Sequence, residues 1–76
     1  MEVQQALAHR LRRRRMALGL TLTQLSEQTQ IPLQVLSRLE HGHQSIYVER
    51  LADLARFLGV SADFLLGLSD KEQIIG

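Results

Sequence analysis

The chain has 76 residues, 45% of them hydrophobic and 22% charged, with a formal net charge of +1 and no cysteine. That length suits one domain with a single small core. The lack of cysteine excludes disulfides and thiolate metal sites, and no apolar run approaches the roughly 20 residues that span a bilayer. With Tyr47, Phe57 and Phe64 as its aromatic residues and few β-branched ones, the chain argues against a sheet. An all-α fold, a compact bundle of five short, locally connected helices, is expected.

The first residues, MEVQQALAHR, lack a basic stretch followed by an apolar one. They do not read as a secretory signal, and a cytoplasmic location is expected. A first helix is predicted from about Val3 to Leu18, with Leu7, Leu11 and Leu18 on one stripe and Gly19 as its stop. Thr21 is a good N-cap, and Gln24 three residues later completes a capping box, so a second helix begins at Leu22. Leu25 and the smaller Ser26 face inward on it, while Glu27 and Gln28 face water. The periodic pattern fails at Thr29 and Gln30, and Pro32 fits a first helical turn but not a helix interior.

A third helix follows from about Pro32 to Glu40, with Leu36 and Leu39 on one face and Gln34, Ser37 and Arg38 on another, and Gly42 stops it. Two helices joined by such a short break form a helix-turn-helix unit, whose second helix can enter the DNA major groove. The fourth helix, Val48 to Leu58, repeats its apolar residues at spacings of three and four and ends at Gly59. Ser61 caps a fifth, Ala62 to Leu66, which Gly67 ends. Leu51, Leu54, Phe57, Leu58, Val60 and Phe64 are expected to close the core. In the tail, LSDKEQIIG, Ser69 and Glu72 form a further capping box for one last turn. Residues 1–76 thus read as a single domain, with a core of about 3–67 and a tail of 68–76.

The small net charge divides unevenly. Residues 1–44 hold six arginines against Glu2, Glu27 and Glu40, a balance of +3, whereas residues 45–76 hold Arg50, Arg56 and Lys71 against five acids, a balance of −2. Positive charge therefore lies in the half that holds the third helix, the direction a phosphate-binding face requires. The densest cluster is Arg10 and Arg12 to Arg15, of which most are expected on a solvated face and Arg15 nearer the apolar stripe. His41 and His43 flank Gly42, but with only a distant His9 they do not make a metal-coordinating set. There is no paired acid and base, no nucleophile constellation and no phosphate-cradling glycine loop, so neither an enzyme nor a cofactor site is expected.

The stretch from Leu18 to Gly67 resembles the phage-repressor and Cro-type (XRE-like) helix-turn-helix family. The matching residues are LGL-T at 18–21, Leu25, Ile31, LSRLEHG at 36–42, LADLARFLGVS at 51–61 and DFLLG at 63–67. The resemblance implies a lambda-repressor-like domain with base contacts from Leu33, Gln34, Ser37 and Arg38. The Gln34 amide has the geometry to pair with adenine N6 and N7, and Arg38 with guanine O6 and N7. Ser37 can bond a base or a phosphate, and Leu33 can pack on a thymine methyl. Phosphate contacts are implied for Thr21 and Thr23 at the start of the second helix, for the loop residues His43, Gln44 and Ser45, and for Arg14. The resemblance also pairs Arg15 with Glu40 as a structural ion pair, and assigns the C-terminal helices and tail to a homodimer interface. A two-fold axis would then set two reading helices on half-sites roughly 10 base pairs apart.

Three positions depart from the family pattern. Leu22 stands where a phosphate-holding glutamine is common, Gln30 where the turn usually has glycine, and Pro32 where a serine or threonine cap is usual. The expected function is a sequence-specific, double-stranded DNA-binding transcriptional regulator, a repressor on a palindromic operator. The alternative, kept open by Leu22, Pro32 and Leu33, is a protein-interaction module or antitoxin-like partner on the same fold. No membrane role is expected.

Overall fold

In a computed structural model that describes residues 2–71, five α-helices follow in chain order: α1 (Val3–Ala17), α2 (Leu22–Thr29), α3 (Leu33–Glu40), α4 (Val48–Leu58) and α5 (Ala62–Leu65). Among the described residues there is no strand and no helix long and apolar enough to cross a membrane.

Three of the five helices, α1, α2 and α5, start on a side-chain cap. The Glu2 carboxylate accepts from the Gln4 amide at 2.7 Å and opens α1. Thr21 and Gln24 form the reciprocal capping box of α2: the Thr21 hydroxyl accepts from the Gln24 amide at 3.0 Å, and Gln24 Oε1 accepts from the Thr21 amide at 2.8 Å. Ser61 accepts from the Phe64 amide at 3.0 Å and starts α5. Pro32 lies just outside α3 rather than in its first turn. Its ψ of 139° is extended, so it serves as a cap residue without a side-chain bond, and its fixed φ of −54° sets the entry angle.

The break between α2 and α3 satisfies its own polar groups. Gln30 turns the chain with φ of 61°, the one non-glycine residue in the left-handed region among those described. Ser26 Oγ donates to the Ile31 carbonyl at 2.6 Å, Thr29 Oγ1 to the Leu25 carbonyl at 2.7 Å, and Gln30 Nε2 to the Glu27 carbonyl at 2.8 Å. Ile31 itself is buried, so the turn is bonded on its outer side and packed on its inner one.

The core lies where these helices converge. Leu11 of α1, Leu25 of α2, Leu36 and Leu39 of α3, Leu54 and Leu58 of α4 and Leu65 of α5 are fully buried, and no buried side-chain polar atom among the described residues lacks a partner. Two residues expected inside are not. Leu18 follows the last helical residue of α1 and is 42% exposed, because the helix ends one residue earlier than its apolar stripe suggests. Phe57 is 38% exposed, since Leu54 and Leu58 already carry the buried face of α4. Leu65 is buried and Leu66 packs against the core, leaving Leu68 as the exposed apolar residue of this end. Ser69 Oγ accepts from the Lys71 amide at 3.1 Å, while Glu72, the other half of the expected capping box, lies outside the described residues, as do Ile74 and Ile75.

Arg10, which the sequence assigns to a solvated face, instead ties α1 to the C-terminal half. Arg10 donates to the Phe64 carbonyl at 2.8 Å and the Ser69 carbonyl at 2.6 Å, reaches Asp70 at 3.2 Å, and lies 4.5 Å from the centre of the Phe64 ring. Gly67, with φ of 79°, makes the adjacent close approach possible: a Cβ there would come within 2.8 Å of Ala6 Cβ.

Candidate nucleic-acid interface

The outward face of α3 is built from side chains three and four residues apart. Leu36 and Leu39 anchor the opposite face in the core, which turns Leu33, Gln34, Ser37 and Arg38 away from it. Gln34 and Arg38 are exposed, and neither makes a side-chain hydrogen bond or ion pair among the described residues. Leu33 is 43% exposed and Ser37 half-buried. Because Pro32 offers no side-chain cap, the first amides of α3 also have no bond from a capping residue. This end of the helix carries partial positive charge and unused donors.

A buried ion pair holds α3 against α1. Arg15 Nε donates to Glu40 Oε2 at 2.6 Å and an Arg15 terminal nitrogen to Oε1 at 2.9 Å, a two-point contact, while the other terminal nitrogen donates to the Leu20 carbonyl at 2.7 Å. The side chains are 14% and 6% exposed. The hydrogen bond to Glu40 raises the Arg15 pKa above its ordinary value, desolvation opposes this, and the Glu40 charge adds to the rise. The pair thus joins the end of the first helix to the end of the third, with no net charge left inside.

The flanking residues occupy several distinct settings. Thr23 is exposed on the first turn of α2, beside Thr21, whose hydroxyl is engaged in the capping box. His43 and Ser45 are exposed and Gln44 half-buried in the loop after α3. Ser45 Oγ accepts from Gln4 Nε2 at 3.1 Å, which leaves its proton available and fastens the loop to the start of α1. The sequence gives no sign of Gln4 in this role, since the bond joins residues far apart in the chain. Arg14 is not brought to this surface group: its Nε donates to the Leu58 carbonyl at 2.7 Å, where a cation complements the C-terminal end of α4. The His41 and His43 rings stand 6.1 Å apart, and among the described residues no group of three or more His, Cys, Asp or Glu could hold a metal ion.

The geometry is a rigid, outward-facing helix set on a small bundle directly after a tight turn. A helix-turn-helix family profile matches residues 11–65. The chain belongs to the helix-turn-helix family of DNA-binding transcriptional regulators. This helix-turn-helix protein is also similar to the crystal structure of the clp gene regulator ClgR from Corynebacterium glutamicum, with 32% identity and a TM-score of 0.79 over 90% of this chain and 72% of that one. No curated protein sequence matches it.

Proposed function

We propose that this protein is a sequence-specific repressor that lays α3 in the major groove of a palindromic operator, as a homodimer on DNA. The observation that carries the reading is the division of α3: Leu36 and Leu39 are buried, while Gln34 and Arg38 project with their hydrogen-bonding groups unused. An α-helix fits the major groove, where an amide can recognise adenine and a guanidinium guanine. Leu33 and Ser37 complete the base-facing set. Thr21, Thr23, His43, Gln44 and Ser45 supply backbone contacts that fix the register. Such a role is one of binding, not catalysis, and is exercised in the cytoplasm where the operator lies.

A second reading has support in an apolar groove of about 250 Å³ between the start of α1 and the start of α4, lined by Val3, Leu7, Ile46, Val48, Leu51 and Leu66. Beside it Tyr47 and Val48 are 70% and 78% exposed. A module that works through protein contact would use this side, and its association would vary little with salt. Selecting bound sites from a random duplex pool and titrating them against salt decides between the two. Recovery of a symmetric site whose affinity falls steeply with salt supports the repressor. Failure to enrich any sequence, with salt-insensitive association, overturns it.

A further inference from the structure

We infer that pH regulates the affinity of this protein for DNA through His41 and His43, which turn from neutral to cationic at the edge of the α3 surface. The inference rests on the DNA-binding reading above and adds a regulation of the same surface. Histidine is the side chain whose charge ordinarily changes between pH 5 and 8. Two of them flank Gly42 directly after α3, both exposed, with ring centres 6.1 Å apart. The His43 amide donates to the Arg38 carbonyl at 2.9 Å, which ties the second ring to the end of the same helix.

The hydrogen bond of His41 fixes what an added proton does. Nδ1 lies 2.7 Å from the Ser37 carbonyl, which can only accept, so the neutral ring carries its proton on Nδ1. Nε2 is then an acceptor, and it has nothing to offer a phosphate oxygen, which also accepts. A second proton can enter only at Nε2. It converts that atom into a charged donor while the bond to Ser37 stays in place. The ring therefore switches from indifferent to attractive without any movement of the backbone.

The charged groups around His41 are cationic or already engaged. From α1, His9 and Arg12 line a hollow of about 350 Å³ with it. On α3, Arg38 stands three residues before it, and Glu40 has both oxygens held by Arg15 at 2.6 and 2.9 Å. From α2, the uncharged Leu22 lines an adjoining hollow with Arg12, Arg15 and His41. Glu40 is the one acid in either lining, so an added proton meets no uncommitted carboxylate there. Its counter-charge has to come from outside, and a duplex backbone is a polyanion. Proton uptake is thereby coupled to DNA binding. Because the complex favours the charged rings, their contribution to affinity is complete in mild acid. It is lost as pH rises through the point at which the bound rings discharge.

The test measures binding of the full chain to a duplex recovered by selection, using fluorescence anisotropy from about pH 7.5 to about pH 5.5, a range above ordinary carboxylate titration. The parent is compared with His41→Asn, His43→Gln and the double variant. Asparagine at position 41 keeps an amide donor for the Ser37 carbonyl and cannot take a proton. Melting curves check that each variant folds, and the single variants carry the test if the double variant does not. The parent is expected to bind about threefold more tightly per ring at the acid end, about tenfold in all. Each single variant is expected to keep about threefold of that gain, and the double variant to lose it. The parent's slope of log K against log salt is expected to steepen in acid by up to about 0.9 per ring, and that of the double variant to stay constant. If the parent binds equally well at both ends while remaining salt-sensitive, or if the double variant keeps the parent's pH dependence, the histidine pair is overturned and the DNA reading stands. If the parent shows no salt-sensitive binding at any pH, both are overturned.

Discussion

The two sides of α3 use polar chemistry in opposite ways. On the inner side, Glu40 is almost fully buried and both of its oxygens are bonded to Arg15, which also closes on the Leu20 carbonyl. On the outer side, Gln34 and Arg38 carry comparable hydrogen-bonding capacity and leave it unused within the protein. On the proposed reading, one helix therefore separates stability from recognition by direction. Substitutions on the inner side should act on folding, and those on the outer side on binding alone.

The largest expected effect tests the inner side. Arg15→Ala or Glu40→Ala removes one partner of a buried pair and is expected to cost about 3–5 kcal/mol in urea or thermal unfolding. The reverse charge balance of the two variants should not matter, since each strands the other's charge. The raised Arg15 pKa gives this loss a direction in pH. A cation whose folded pKa lies above its unfolded value contributes fully below the unfolded value, and that contribution is lost only as pH rises through the folded one. Arginine's share of the pair should therefore be constant from neutral to mildly alkaline pH, as measured by denaturation across that range.

The outer side is sharpened by Arg38→Ala and Gln34→Ala. Each is expected to weaken operator binding by about 1–3 kcal/mol and relax preference at one base, while unfolding free energy stays within about 0.5 kcal/mol of the parent. A large loss of stability in either variant would break the separation. Smaller effects belong to the turn between the sides. Thr21→Ala removes half of a capping box and should cost about 1 kcal/mol of stability. Gln30→Gly relieves a left-handed backbone and is expected to stabilise by up to about 1 kcal/mol, reduced by the lost bond to the Glu27 carbonyl. Both are read from melting curves.

Local interactions explain which features the amino-acid order reveals. Helix starts at Thr21 and Ser61 and stops at Gly19, Gly42 and Gly59 follow from bonds and torsions spanning a few residues, so the five helices are legible to within about a residue. The inward and outward faces of α3 follow from its period in the same way. Arg10, Arg14 and Gln4 are different: their partners are Phe64, Leu58 and Ser45, brought near only by packing of the whole bundle. A run of arginines carries no mark of which member will find a carbonyl. Leu18 and Phe57 sit at the edges of apolar stripes, where a small difference in helix length or packing decides exposure.

The turn at residues 26–31 has a wider consequence. Its hydroxyl and amide groups are satisfied by carbonyls of the same short segment, and the ionic lock on α3 sits at the helix's far end. Leu33, Gln34, Ser37 and Arg38 can therefore be exchanged as a cassette without disturbing the frame that presents them. If these four read the operator as proposed, new binding preferences are within reach of a handful of codon changes, whether arising by divergence or by design.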